Sequence, residues 1–332
     1  MMKKAIILAA TAVAALMTAP QVKAQDELTV AYFLEWPMPF QFGKANGTYE
    51  EELGVPINWV AFDTGTAMSA AMASGDVQIA VSQGVPPFVV AASAGQELQI
   101  VDVAVTYAEN DNCVVAETLE IDKETAKDLE GKRVAVPIGT AAHFGFLKQM
   151  SHFGVDTSTM DIVDMAPPEG AAAFAQGSLD MVCGWGGALR RMKEHGNVLL
   201  TGAEKEELGI LVFDVTSTTA SFAAENSELL SKFLKVTADM NDMWNSGEHT
   251  EEMLPVIAKD AGMDLDATAA TIGTFVFPSV DEQLSAKWLD GGAAEFMGGV
   301  ATVFKDAGSI PQALGSYEDN VDMSHLEATK GL

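Results

Sequence analysis

Short apolar runs alternate with helically spaced ones along the first part of this chain. Leu28 to Phe33 is apolar and rich in strand-forming residues and breaks at Trp36-Pro37; Ile57 to Phe62 is a second such run, ending at Asp63-Thr64-Gly65. Runs of this length bounded by turn residues read as buried strands. Thr66 to Ser74 then carries Ala and Met at helical spacing, stops at Ser74-Gly75-Asp76, and is followed by the strand-like Val77-Gln78-Ile79-Ala80-Val81. Strand, helix and strand in that order predict parallel strands with helices on the sheet faces, a layout in which ligands gather at the carboxyl ends of strands.

The pattern returns about a hundred residues later. Ala173 to Gly186 echoes Ala71 to Gly84 at an offset of 102, and Val134-Ala135-Val136 echoes Val30-Ala31-Tyr32 at an offset of 104. The matched order of strand, loop, helix, Gly stop and strand predicts two similar α/β units in one chain. Ile210 to Val215 is an extended apolar stretch suited to carry the chain from the second unit back to the first, and the hinge is expected there. Beyond Glu225 the pattern turns helical, over Ser227 to Trp244, Glu251 to Ala261 and Ser279 to Trp288, with acids opening several turns. The expected architecture is α/β with two lobes, each a mostly parallel sheet flanked by helices. Residues 25–108 and 215–332 form one lobe, 109–214 form the other, and the ligand cleft lies between them.

The first 24 residues stand apart. Lys3 and Lys4 precede an apolar run from Ala5 to Ala19, and Val22-Lys23-Ala24 places small residues where a signal peptidase reads. Residues 1–24 therefore read as a cleavable secretory signal. Its apolar run is shorter than the roughly 20 residues that span a bilayer as a helix. No Cys follows the cleavage site, so a soluble mature protein starting at Gln25 in the periplasm is expected. Removing Lys3, Lys4 and Lys23 without any acid takes the formal charge from −28 to −31. With 19 basic residues against 47 acidic ones, phosphate backbones are repelled and nucleic acid is excluded as a partner. Cys113 and Cys183 are the only thiols, and in an oxidising compartment they either pair or stay as small buried core residues.

Local catalytic signatures are missing: there is no nucleophile elbow, HExxH, phosphate loop or GxGxxG, and the five His have no metal-ligand spacing. A binding protein with no cofactor and no metal is expected rather than an enzyme. Two strand-to-helix junctions, Asp63-Thr64-Gly65-Thr66 and Gly139-Thr140-Ala141-Ala142-His143, can offer N–H and hydroxyl donors to an anion. The post-strand segment Ser82-Gln83-Gly84 and its echo Trp185-Gly186-Gly187 are expected beside them. Glu35 and Asp214 can pair with a cationic end of the ligand, and Trp36 and Trp185 offer faces for a cation or an aliphatic linker. Together these describe a site for a small zwitterion. A hydrolase using His143 beside the Thr140 loop is the enzymatic alternative.

At these residues the sequence resembles the periplasmic substrate-binding proteins of ABC importers, in the taurine-binding, aliphatic-sulfonate branch. The matching stretches are Phe62-Asp63-Thr64-Gly65, Ala73-Ser74-Gly75-Asp76-Val77-Gln78-Ile79, Leu129-Glu130-Gly131-Lys132-Arg133-Val134-Ala135-Val136-Pro137 and Val303-Phe304-Lys305-Asp306-Ala307-Gly308-Ser309-Ile310-Pro311. The resemblance implies a type II-like two-lobed fold, a monomer that closes on one small ligand and docks on a membrane permease. It further implies that Thr64 to Thr66 and Thr140 to His143 hold a sulfonate and that Asp214, in Phe213-Asp214-Val215, holds the ammonium. The sequence departs from the branch at Glu35-Trp36-Pro37-Met38-Pro39 and at Gln83-Gly84-Val85. The added acid and indole in the first of these suit a betaine, a polyamine or another amine as well as taurine.

Overall fold

Ten strands carry the architecture of the computed structural model, which describes residues 27–211 and 213–332. The expected signal peptide lies outside the described residues. In chain order the strands are β1 (Leu28–Phe33), β2 (Ile57–Phe62), β3 (Ile79–Gly84), β4 (Leu98–Thr106), β5 (Asp111–Ala116), β6 (Arg133–Val136), β7 (Asp161–Asp164), β8 (Met181–Trp185), β9 (Gly196–Val198) and β10 (Phe213–Thr219). They form two five-stranded sheets, ordered β2-β1-β3-β10-β4 and β7-β6-β8-β5-β9. Each sheet has three parallel strands, then a strand running antiparallel to them, then a fifth. The internal echo in the sequence thus corresponds to one topology used twice, with β1, β2 and β3 matched by β6, β7 and β8.

Burial follows the pattern that predicted the strands. All six residues of β3 are buried, as expected of a central strand covered on both faces. The first sheet shares its core with the long helices Ser227–Asn245 and Gly292–Asp306 through Phe233, Leu234, Val300 and Phe304. The second sheet has separate apolar clusters, one around Cys113, Val134, Phe146 and Cys183, another around Val114, Val182 and Met192. Cys113 and Cys183 face each other in register on β5 and β8 and are joined as a disulfide, which resolves the two thiols. No described helix is long and apolar enough to cross a membrane.

Three expectations change. Ser82-Gln83-Gly84 is the end of β3 rather than a loop, because β10 keeps pairing with it as far as Asp214 opposite Gly84. Phe213 and Asp214 belong to the first sheet for the same reason. The helix expected over Ser279 to Trp288 is only one turn, Val280–Gln283: a Ser279/Glu282 capping box starts it, and the Ser285 hydroxyl binds the Glu282 carbonyl and ends it.

Both lobes present their helix starts to the same gap, because each parallel strand runs toward it. Thr64 caps the helix Gly65–Ser74 by accepting the Ala67 N–H, and Thr140 caps the helix Ala141–Phe153 by accepting the His143 N–H. The lobes meet where Phe144 of the latter helix lies edge-on to Phe296 and Phe304, at ring separations of 5.9 and 6.4 Å.

Candidate functional site

A cleft lies between the lobes, lined by Phe33, Trp36, Gly65, Gly84, Pro87, Tyr107, Asp111, Thr140, Ala141, Trp185 and Asp214. Every one sits where the topology predicts a ligand, at the carboxyl end of a parallel strand or where a neighbouring antiparallel strand meets that end. The helices starting at Gly65 and Ala141 approach from opposite lobes. Their first N–H groups have no intrahelical acceptor, so the two ends bring partial positive charge to one gap. The helix Val85–Ser93 adds little, since Pro86 and Pro87 in its first turn have no N–H to offer.

Asp214 is the buried charge of this cleft. Its Oδ1 accepts from the Tyr107 hydroxyl, and its Oδ2 accepts from Ser82 Oγ at 2.7 Å. Ser82 Oγ in turn accepts from Trp36 Nε1 at 2.9 Å. Trp36 is wedged against Tyr107 and Phe275, with ring separations of 4.7 and 4.5 Å. This chain fixes the carboxyl group's orientation, and Ser82 adopts a left-handed backbone conformation at φ 60° to serve it. Burial pushes the Asp214 carboxyl up to about 7, against the pull of the Tyr107 and Ser82 hydrogen bonds. Among the described residues no Lys or Arg lines the cleft, so a cationic ligand group is the partner that would let it ionise.

Of the other residues expected at the site, Trp36, Gly65, Thr140 and Trp185 line the cleft with Asp214, and Ser82 stands directly behind Asp214. Thr64 acts as a helix cap, and Thr66 packs its methyl 3.2 Å from where a Cβ on Gly139 would lie, across the interlobe gap. Gln83 is spent internally: its amide donates to Gly65 O and Ser69 Oγ, and its carbonyl accepts from Ser217. His143 lies outside the cleft lining, stacked on Phe304 at 5.3 Å, with Nδ1 accepting the Gly139 N–H. Burial lowers its pKa to about 4, and Thr140 Oγ1 bonds the His143 backbone N–H and the Pro137 carbonyl, not the imidazole.

Glu35 and Asp63 line a second, neighbouring gap, which shares Phe33 and Trp185 with the first. There Arg191 grips Glu35 with two hydrogen bonds, of 2.6 and 3.0 Å, from one lobe to the other. The Glu35 carbonyl also accepts from Gly187 N–H, at the start of the helix Gly186–Lys193. That approach needs glycine: a Cβ on Gly186 would sit 2.6 Å from the Glu35 oxygen. Glu35 thus acts as a strut between the lobes. Both partners are about a third exposed, at 31% and 38%, so water screens the pair and it stabilises contact by no more than about 1 kcal/mol. Glu35→Gln should accordingly weaken ligand binding only a few-fold, which titration calorimetry would read; a hundredfold loss would return Glu35 to the ligand.

Tyr107 and Asp111 were not anticipated. Tyr107 follows β4 on the crossing to the second lobe, and Asp111 opens β5 on its far side. The available signal was an acid at the entrance to an apolar strand, Asp111 before Cys113-Val114-Val115, the setting that singled out Asp214.

Comparison with known proteins agrees with this geometry. The model of the family described as NMT1/THI5 like matches residues 38–244. The taurine-binding periplasmic protein of Escherichia coli (strain K12) is 28% identical over 303 residues, covering 89% of this chain and 91% of its own length. A putative aliphatic sulfonates-binding protein of the same organism is 24% identical over 64% of this chain and 65% of its own. Among solved structures, the alkanesulfonate-binding protein SsuA from Xanthomonas axonopodis pv. citri bound to MOPS superposes with a TM-score of 0.74 at 19% identity, covering 90% of this chain and 98% of that one. The periplasmic aliphatic sulphonate binding protein SsuA from Escherichia coli superposes at 0.69 with 20% identity, over 88% and 90% of the two chains. These structural matches establish the two-lobed fold.

Proposed function

Because the chain belongs to the NMT1/THI5-like family, we propose that it is a periplasmic solute-binding protein that captures taurine or a related small aminosulfonate and delivers it to an ABC importer. The observation that carries this reading is Asp214, a buried carboxyl that shares its cleft with helix starts from both lobes and, among the described residues, with no basic side chain. An acid at one end and unpaired N–H groups at the other match a zwitterion with an ammonium and a permanently charged sulfonate. Trp36, Tyr107, Trp185 and Phe33 suit the short carbon linker. The names of the curated relatives support the same ligand class.

In this reading residues 1–24 are the export signal, 25–108 and, from β10 onward, 213–332 build one lobe, and 109–212 build the other. The two chain crossings between lobes act as the hinge. The closed monomer docks on a membrane permease and catalyses no reaction itself. A second reading keeps the transport role but changes the ligand to a betaine, favoured by the four rings that line the cleft, which suit a methylated cation.

Thermal shift tests the proposal, since a ligand that binds only the folded state raises the melting temperature. Taurine should raise it at pH 8, and amine-free sulfonates, betaines and polyamines should do so less or not at all. A shift with a betaine alone would select the second reading, and no shift with any compound would sink both. Binding should also depend on pH. Asp214, with its carboxyl raised to about 7, must ionise to hold an ammonium, so binding releases a proton below that pH. Affinity should therefore rise about 100-fold between pH 5 and pH 8, the change for a group going from about 1% to mostly ionised. Calorimetry across that range in buffers of different ionisation enthalpy reads both effects; a flat profile would remove Asp214 as the ammonium's partner.

A further inference from the structure

The duplicated topology puts an acid at the same place in each lobe. In the first sheet, β10 runs antiparallel to β3 and places its second residue, Asp214, opposite Gly84, the last residue of β3. In the second sheet, β5 runs antiparallel to β8 and opens with Asp111 opposite Trp185, the last residue of β8. Each acid thus pairs with the end of a matching strand, and both residues line the same interlobe cleft, the one that holds Trp36 and Tyr107. Asp111 is 2% exposed, and its Oδ2 has no hydrogen-bond partner among the described residues. The nearby Lys205 ammonium bonds instead to the Asp111 backbone carbonyl.

We propose that Asp111 and Asp214 form a clamp, one acid from each lobe, that closes on a primary ammonium and selects it against both methylated and amine-free ligands. The inference rests on the aminosulfonate reading and deepens it. A primary ammonium has three N–H donors, enough to supply Asp111 Oδ2 and a further lone pair on Asp214 from opposite sides. A quaternary ammonium carries the charge but no donor, and would leave Asp111 Oδ2 buried and unpaired. A plain alkanesulfonate would bring no cation to the two buried acids of the cleft, which burial already disfavours as ions. Lys205, beside Asp111 but bonded to its backbone, eases the ionisation of Asp111 without occupying its free oxygen. The ligand's ammonium thus becomes the condition for closure, so selection falls on the closing step and on both lobes at once.

The test is calorimetry at pH 8 with taurine, its N,N,N-trimethyl derivative and ethanesulfonate, on the wild type and on Asp111→Asn. Wild type should prefer taurine over either analogue by at least about 30-fold, the scale of an unmet charged hydrogen bond. Asp111→Asn should lower taurine affinity at least about tenfold and reduce the preference over the trimethyl compound to a few-fold, while ethanesulfonate binding holds or improves. Should the variant fail to fold, the wild-type series decides by itself: trimethyl compound bound as tightly as taurine overturns the clamp. A folded variant that keeps the wild-type preference also overturns it while leaving the aminosulfonate reading in place. Wild type that binds none of the three compounds overturns both.

Discussion

Asp214→Asn should yield a folded protein that no longer holds an ammonium ligand, with taurine affinity reduced at least about 100-fold, or roughly 3 kcal/mol, as when one partner of a buried charge pair is neutralised. The substitution keeps size and shape, so Tyr107 can still donate to the remaining carbonyl oxygen, while Ser82 must turn its hydroxyl. What disappears is the negative charge. The empty protein should be no less stable for it. A carboxyl raised to about 7 favours its protonated form in the fold, so its stabilising contribution is full below the ordinary value of 3.8 and is lost as pH rises through 7. At pH 8 the buried ionised acid therefore destabilises the empty wild type, by an amount on the order of 4 kcal/mol, and Asn relieves that strain. Melting curves at pH 8 and pH 4 should show the variant equal or ahead at the first and without advantage at the second. Calorimetry showing taurine bound as tightly as by wild type would place the ammonium elsewhere.

The second large effect is expected from the disulfide. Cys113 and Cys183 close a loop with a sequence separation of 70, for which the chain-entropy model gives about 4 kcal/mol. Replacing both with Ala should lower stability by about 3–4 kcal/mol in urea unfolding, as should reducing wild type, because the bond restricts the unfolded chain more than it shapes the folded one. Binding should suffer too. Asp111 and Trp185 lie two residues from the bridge on the same two paired strands, so the disulfide steadies the strand ends that enter the cleft. A midpoint unmoved by reduction would show that the sheet needs no covalent tie.

The periodic elements were legible in the sequence. Runs such as Leu28 to Phe33 and Ile57 to Phe62 became strands at those residues, and the helices over Ser227–Asn245 and Thr250–Ala261 matched their pattern within a residue. Short-range patterns succeed because they record which side of an element is dry. The Ser279 to Trp288 segment misled because a single Ser hydroxyl can end a helix that hydrophobic spacing would continue. At the site, Asp214, Trp36, Thr140 and Trp185 were visible as polar or aromatic residues beside apolar strands. Glu35 and His143 looked equally suitable, yet one pairs with Arg191 across the gap and the other turns toward Phe304.

What the sequence determined by itself was the main strands, their duplication, the acidic character of the chain, and an acid embedded in an apolar strand. Tertiary structure alone decided which acids share the cleft. Asp111 and Asp214 are 103 positions apart and meet only because two antiparallel strands, one in each lobe, begin at the same gap. Whether a buried carboxyl finds a local donor, a distant arginine or an unfilled space depends on what the fold brings from the other lobe, and spacing along a chain carries no record of that.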